Sequence, residues 1–192
     1  TFDKLYEEKS EDNSGVFGFK SLEDANTRIN QGFIIPNIMA IVPGWVPYAN
    51  GSEMYEILEA AIMPRILAPN KLKAGDRGIF MKYSGIAVQA GTSMGLSSVG
   101  DAYVNWGVFG GVIFMFFLGF FYSEILNIFY KNSFVYPILI LFVPLVFYYP
   151  IRPDCELQTI LGHVFKSCFL IFVMIQVWGF SFKVRKSTLA KT

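Results

Sequence analysis

Cysteine and histidine are nearly absent. Cys155, Cys168 and His163 are the only three such residues among 192. Two cysteines cannot make a disulfide framework, and no Cys/His spacing fits a zinc site. The sequence also lacks a phosphate-cradling glycine loop, a nucleophile elbow and the acidic pair of a metal-dependent nucleotide-sugar enzyme. An enzyme built on this chain would therefore draw its energy from an activated substrate, and no cofactor is expected. Charge is balanced and sparse: Lys and Arg total 16 against 15 Asp and Glu. Residues 1–104 hold nine basic and twelve acidic residues, which excludes a basic face for nucleic acid. No cleavable signal peptide, internal repeat or low-complexity tract is present. The chain opens on Thr1 instead of Met, so it is expected to be a piece of a longer protein.

Apolar side chains are abundant. They make up 53% of the chain, with 20 phenylalanines, more than a soluble domain of this length readily buries. They are also unevenly placed. Most of the charge lies in residues 1–104, and from Val104 to Leu118 no residue is charged. Crossing the roughly 30 Å hydrocarbon core of a bilayer takes about 20 mostly apolar residues. The pattern predicts an all-α polytopic membrane protein with three transmembrane helices, at about 103–130, 134–150 and 159–181. The middle one is kinked by Pro137 and Pro144, which membrane helices tolerate when neighbours satisfy the freed carbonyls. Residues 1–102 are expected to form a large extracytoplasmic loop region with short amphipathic helices, and 183–192 a basic tail. Lys183, Arg185, Lys186 and Lys191 place that tail in the cytoplasm, which puts 151–158 outside.

Within the outer region, 1–18 reads as a solvated acidic loop, and Ser21–Asn30 as a short helix with Ser21 and Asp24 in a capping arrangement. Phe33–Tyr48, cut by Pro36, Pro43 and Pro47, reads as a re-entrant or interfacial segment with Trp45 and Tyr48 at headgroup depth. Ser52–Leu67 is predicted to be an amphipathic helix, ended or kinked by Pro64, with Met54, Ile57, Leu58, Ala61 and Ile62 on one face. Lys73–Gly100 has no sustained periodicity and reads as a long ordered loop.

Three constellations could carry chemistry. Arg152, Glu156, Thr159, His163 and Lys166 are spaced 4, 3, 4 and 3, which puts them on one helical face. Such a stripe suggests a wet, partly cationic groove, because a charge facing lipid costs several kcal/mol. The alternative is a snorkelling lysine beside a histidine that bonds between helices. Arg28, Arg65 and Arg77 join Arg152 as extracytoplasmic guanidiniums, each either an ordinary surface residue or, gathered in one groove, part of an anion site. Asp101, in Gly100-Asp101-Ala102-Tyr103, is a candidate general base or arginine orienter. It serves equally as a helix N-cap. Tyr103 and Trp106 fit an aromatic belt, and Gly107 with Gly111 a helix-packing pair.

Pro64-Arg65-Ile66-Leu67-Ala68-Pro69-Asn70-Lys71, a glycine- and serine-rich loop, and then Gly100-Asp101-Ala102-Tyr103-Val104-Asn105-Trp106-Gly107 through Gly111 resemble a known order of motifs. It is that of the C-terminal part of Wzy-type O-antigen and exopolysaccharide repeat-unit polymerases. The likeness covers residues 60–120, with Asp101 in place of the commoner Glu and Trp106 in place of the commoner Phe. It implies a metal-independent glycosyltransferase of the bacterial cytoplasmic membrane that polymerises lipid-linked oligosaccharide repeat units at the outer face. The implied partners are a polyprenyl-diphosphate-linked oligosaccharide, the lipid bilayer and a chain-length regulator. Carried over by position, Arg65, Lys71, Asp101, Tyr103 and Asn105 match motif positions, and Arg152 resembles the arginine often found in the family's later outer loop. His163 and Lys166 rest on the helical-face spacing and not on the motif. The expected site then has Asp101 and His163 as catalytic groups. Arg65, Lys71, Arg77, Tyr103, Asn105, Arg152 and Lys166 hold substrate and diphosphate. The rival functions are a transporter or flippase for the same lipid and a non-catalytic scaffold of an assembly complex.

Overall fold

The structure is a computed structural model that describes residues 31–64, 67–88, 93–152 and 155–182. The expected helix over Ser21–Asn30, Arg28, Arg65 and the basic tail lie outside the described residues. Those described form six helices and no strand: α1 Gln31–Ile41, α2 Ser52–Ile62, α3 Arg77–Ser84, α4 Ser97–Ser133, α5 Ile138–Val146 and α6 Leu157–Phe182.

Two of these, α4 and the Leu157–Trp178 part of α6, are long and apolar enough to cross a membrane. The segment expected as the middle span is different. Its helix has only nine residues, with Pro137 at its start and Pro144 inside, about 14 Å of helix. The missing Pro N–H groups and the turns through Tyr149 stop it from forming one continuous span. The segment still rises alongside α6. Leu139 clusters with Phe129 and Ile171, Val146 with Val164, and the Tyr149 ring meets His163.

α4 is bent back on itself at Gly107, whose φ of 67° and ψ of −164° interrupt the helix. Such a conformation is open almost only to glycine. A Cβ on Gly107 would also stand 3.0 Å from the Tyr48 hydroxyl. The bend frees the Val104 carbonyl, which accepts from the Ala49 N–H at 3.0 Å. It also folds the segment before Gly107 against the one after it, so a Cβ on Gly111 would meet the Ala102 backbone at 3.6 Å. Gly111 therefore serves contact between the two halves of α4, not the expected pairing with another helix.

α1 exists despite Pro36, which removes one intrahelical bond, because Ile34, Ile38 and Val42 are fully buried together. Their neighbours are Phe80 and Tyr83 of α3 and Tyr103 and Val104 of α4. Tyr48 is half-buried, with its ring edge-on to Tyr103 at 6.0 Å. α2 stops at Ile62, short of the expected Leu67, because Met63 precedes a proline and takes an extended conformation. Its buried face is Met54, Ile57, Ala60 and Ala61, while Leu58 and Ile62 of the expected face are exposed. The stretch expected as a loop from Lys73 to Gly100 contains α3 and the start of α4. α3 is set locally: Asp76 Oδ1 accepts from the Gly78 and Ile79 N–H groups at 2.8 and 3.2 Å, and Gly85 ends the helix in the left-handed region.

Candidate functional site

α6 begins at Leu157, and Glu156 is its N-cap, its carbonyl accepting from the Ile160 N–H at 3.1 Å. The stripe expected from Arg152 to Lys166 therefore breaks at the helix start. Arg152 lies in the turn before the helix, its guanidinium carbon 5.8 Å from the Tyr148 ring centre and 5.9 Å from that of Tyr149. It lines a separate cleft of about 410 Å³ with Ser97, Ser98 and Tyr122. The Glu156 carboxylate accepts from the Gly75 N–H at 2.7 Å and, within the stripe, from the Thr159 hydroxyl at 2.8 Å. Burial pushes its pKa up, while those two donors pull it down.

Thr159, His163 and Lys166 do share a face. They line a cleft of about 290 Å³ whose other wall carries Lys71 and Leu72, with Tyr149 and Gln158 completing it. Lys71 is held in place because its ammonium donates to the Ala60 carbonyl at 2.7 Å and to the Met63 carbonyl. These are end-of-helix carbonyls of α2, where a cation also meets the negative end of the helix dipole. His163 Nε2 lies 2.7 Å from the Leu145 carbonyl. A carbonyl only accepts, so Nε2 carries the hydrogen and Nδ1 keeps the lone pair. The Tyr149 ring, 4.8 Å away and inclined at 65°, fixes the imidazole further. Gln158 donates to the Leu72 carbonyl at 2.9 Å, but its buried Oε1 has no partner. Gly162 gives the cleft its back wall: a Cβ there would lie 3.7 Å from Ala61 Cα and 4.0 Å from Lys166 Nζ. Two ammoniums, Lys71 from the loop after α2 and Lys166 from α6, thus converge on one cleft, as an oxyanion site requires. The Thr159 hydroxyl, the Gln158 amide and His163 Nε2 are engaged by protein acceptors.

The remaining expected site residues bond within the protein away from this cleft. Asn105 is fully buried, and its Oδ1 accepts from the Gly51 and Met54 N–H groups at 3.1 and 3.2 Å, so it caps α2 from another helix. Its amide donates to the Asp101 carbonyl at 2.8 Å. The Tyr103 hydroxyl donates to the Val42 carbonyl at 3.0 Å in the core. Arg77 Nε donates to the Val88 carbonyl at 2.7 Å and does not line the cleft.

Asp101 is a cap, but of α6 and not of its own helix. Its Oδ2 accepts from the Leu157 N–H at 3.0 Å. It lies in the half of α4 before Gly107, covered by protein. Burial, only partly offset by the Leu157 N–H, raises its pKa to about 7, with Glu156 and Glu53 adding to the rise. It lines a small cavity of about 30 Å³ beside Gln158, outside the cationic cleft.

Gln158 and Tyr149 were missed in the sequence. Gln158 was legible in principle, because 158, 162 and 166 are four apart on the same helix. Tyr149 was not, since it reaches the cleft only through the turns after α5. Among the described residues, no group of three His, Cys, Asp or Glu side chains could hold a metal ion. No family model, no curated protein and no solved structure matches the chain.

Proposed function

We propose that this chain is the C-terminal part of a polymerase of lipid-linked oligosaccharide repeat units, acting at the outer face of the bacterial cytoplasmic membrane. The observation that carries the reading is the convergence of Lys71, His163 and Lys166 in one cleft, beside a helix apolar and long enough to span. The helix faces acyl chains, while the cleft offers cations to a diphosphate headgroup. In this reading the segment between α4 and α6 crosses as a broken third span, and 151–158 face outward.

The reaction is a displacement at the anomeric carbon of the growing glycan. The hydroxyl of the incoming repeat unit attacks, the bond from that carbon to the polyprenyl diphosphate breaks, and the diphosphate leaves with the bonding electrons. Lys71 and Lys166 balance the charge that develops on the leaving oxygen. His163 Nδ1, the unprotonated nitrogen, takes the hydroxyl proton. The motif residues Asp101, Tyr103 and Asn105 act by holding α2, α4 and α6 in register, without touching substrate. The bilayer and a chain-length regulator remain the expected partners.

The test is to replace His163 by Gln and Lys166 by Ala in the full protein and measure surface glycan chain length. Both variants should yield single repeat units in place of long chains, and Arg77→Ala should leave the length distribution unchanged. Long chains in both cleft variants would overturn the reading. Loss of repeat units from the outer face would instead favour transport of the lipid.

A further inference from the structure

α2 differs along its length in a way that neither capping nor core packing requires. It carries Glu53, Glu56 and Glu59, the last of them one turn before its end, and Glu53 is paired with Lys82 at 3.1 Å. Past Glu59 it carries no acidic residue, and its end is apolar and uncovered: Ile62 is 56% exposed, Met63 44% and Leu67 beyond it 73%. Left in water, each of these side chains would forgo part of the free energy of apolar burial.

Contacts with the two long helices fix where that end lies. The start of α2 is bound to Asn105, two residues before the bend at Gly107. Its last turn packs with Leu118 and Leu161, and Ala61 sits against Gly162. Eleven residues of α2 cover about 16 Å, the same rise as from Gly107 to Leu118 at about 1.5 Å per residue. α2 therefore runs alongside both long helices and in their direction. Phe121 packs on Phe165, which puts Leu118 and Gly162 at one level. Counting about 20 residues, or 30 Å, back from Trp178 puts the outer edge of the hydrocarbon near Gln158. Gly162 is then about 6 Å inside it, and Ile62 and Met63, which follow Ala61, are at or below that level.

We propose that α2 stands upright on the membrane with its acidic start in water and its C-terminal end in the acyl chains of the outer leaflet. Phe116, Phe117 and Phe120 of α4, at the same depth, are likewise exposed. Phe33, at the start of α1, is 56% exposed. α1 reaches the same level, because Ile35 and Leu118 line one cleft. The cationic cleft behind α2 then opens sideways into the leaflet, where a lipid-linked substrate would already reside. The inference rests on α4 and α6 crossing a bilayer, but not on the glycosyl-transfer reading.

The test uses the full protein, free of other cysteines, in phosphatidylcholine–phosphatidylglycerol vesicles. Nitroxide labels are placed singly at Glu56, Ile62, Leu67 and, as a spanning control, Phe120. Relaxation by oxygen is compared with relaxation by a neutral nickel chelate. Ile62 and Leu67 should favour oxygen several-fold, as Phe120 does, while Glu56 favours the chelate. Chelate-favouring labels at Ile62 and Leu67 overturn the proposal by putting the end of α2 in water. Exclusion of both reagents there also overturns it, because another stretch of the chain then covers the end. A chelate-favouring Phe120 overturns the spanning reading, and the proposal with it. If a label at Ile62 prevents folding, Leu67 and Met63 decide.

Discussion

The two halves of α4 have similar backbones and opposite surroundings. Before Gly107, the residues Gly100 to Asn105 are all buried, including an aspartate and an asparagine that cap other helices. After it, 26 residues to Ser133 bury only Gly111, Leu118, Phe129 and Ser133. The buried half is the more polar one and the exposed half the greasier. Burial in this protein therefore follows helix-end chemistry in the first half. In the second, the side chains await an apolar medium that the described residues do not supply. A helix terminus left without partners costs more than a methyl group left in lipid.

The largest expected effect that would break this contrast is at Asn105. Replacing it by Ala leaves two buried N–H groups of α2 without an acceptor, and should lower unfolding stability by about 2–4 kcal/mol. Thermal unfolding of the purified protein in detergent would read this as a drop in midpoint; an unchanged midpoint would mean that water or another carbonyl caps α2.

Next is the pH dependence from Asp101, whose pKa rises from 3.8 to about 7 in the folded protein. The folded state holds this proton more tightly than the unfolded one. The associated stability is thus complete below the unfolded value and is lost as pH rises through about 7. Stability should fall by a few kcal/mol, at most about 4, between pH 4 and pH 8. Asp101→Asn keeps an acceptor for the Leu157 N–H and should remove most of that fall. Glu156, also shifted upward by burial, leaves a smaller slope of the same sign. A variant as pH-sensitive as the parent would assign the dependence elsewhere.

The smallest effect sharpens the other side of the comparison. Phe117→Leu, on the exposed half, should change stability by less than about 0.5 kcal/mol in detergent. A loss comparable to that at Asn105 would mean that this face is packed against protein.

Legibility followed the range of the interaction that decides each feature. The apolar runs of α4 and α6 and the end of α2 near Pro64 were readable, because length, hydropathy and proline act locally. α3 was readable too, through Asp76 before it and Gly85 after it, but the glycines around it hid that signal. The middle segment was expected as one kinked helix over 134–150, and only Ile138–Val146 is helical: hydropathy measures how apolar a segment is and not whether two prolines leave it enough hydrogen bonds to stay helical. Among candidate site residues, Thr159, His163 and Lys166 were grouped correctly by their spacing. Arg152 was grouped with them only because the start of α6 was unknown.

The sequence by itself determined that the C-terminal half is helical and apolar and that its few ionisable groups cluster near one end of α6. Tertiary structure decided what each does. Asp101 and Asn105 stand in the motif that drew attention to this region, yet they are spent on the ends of α6 and α2, 56 and more than 50 positions away in the chain. Lys71 became a wall of the cleft because α2 ends where its last carbonyls can hold an ammonium. A helix end needs a partner from wherever the fold can supply one. No local pattern can say which polar residue will be taken for that need and which will remain for chemistry.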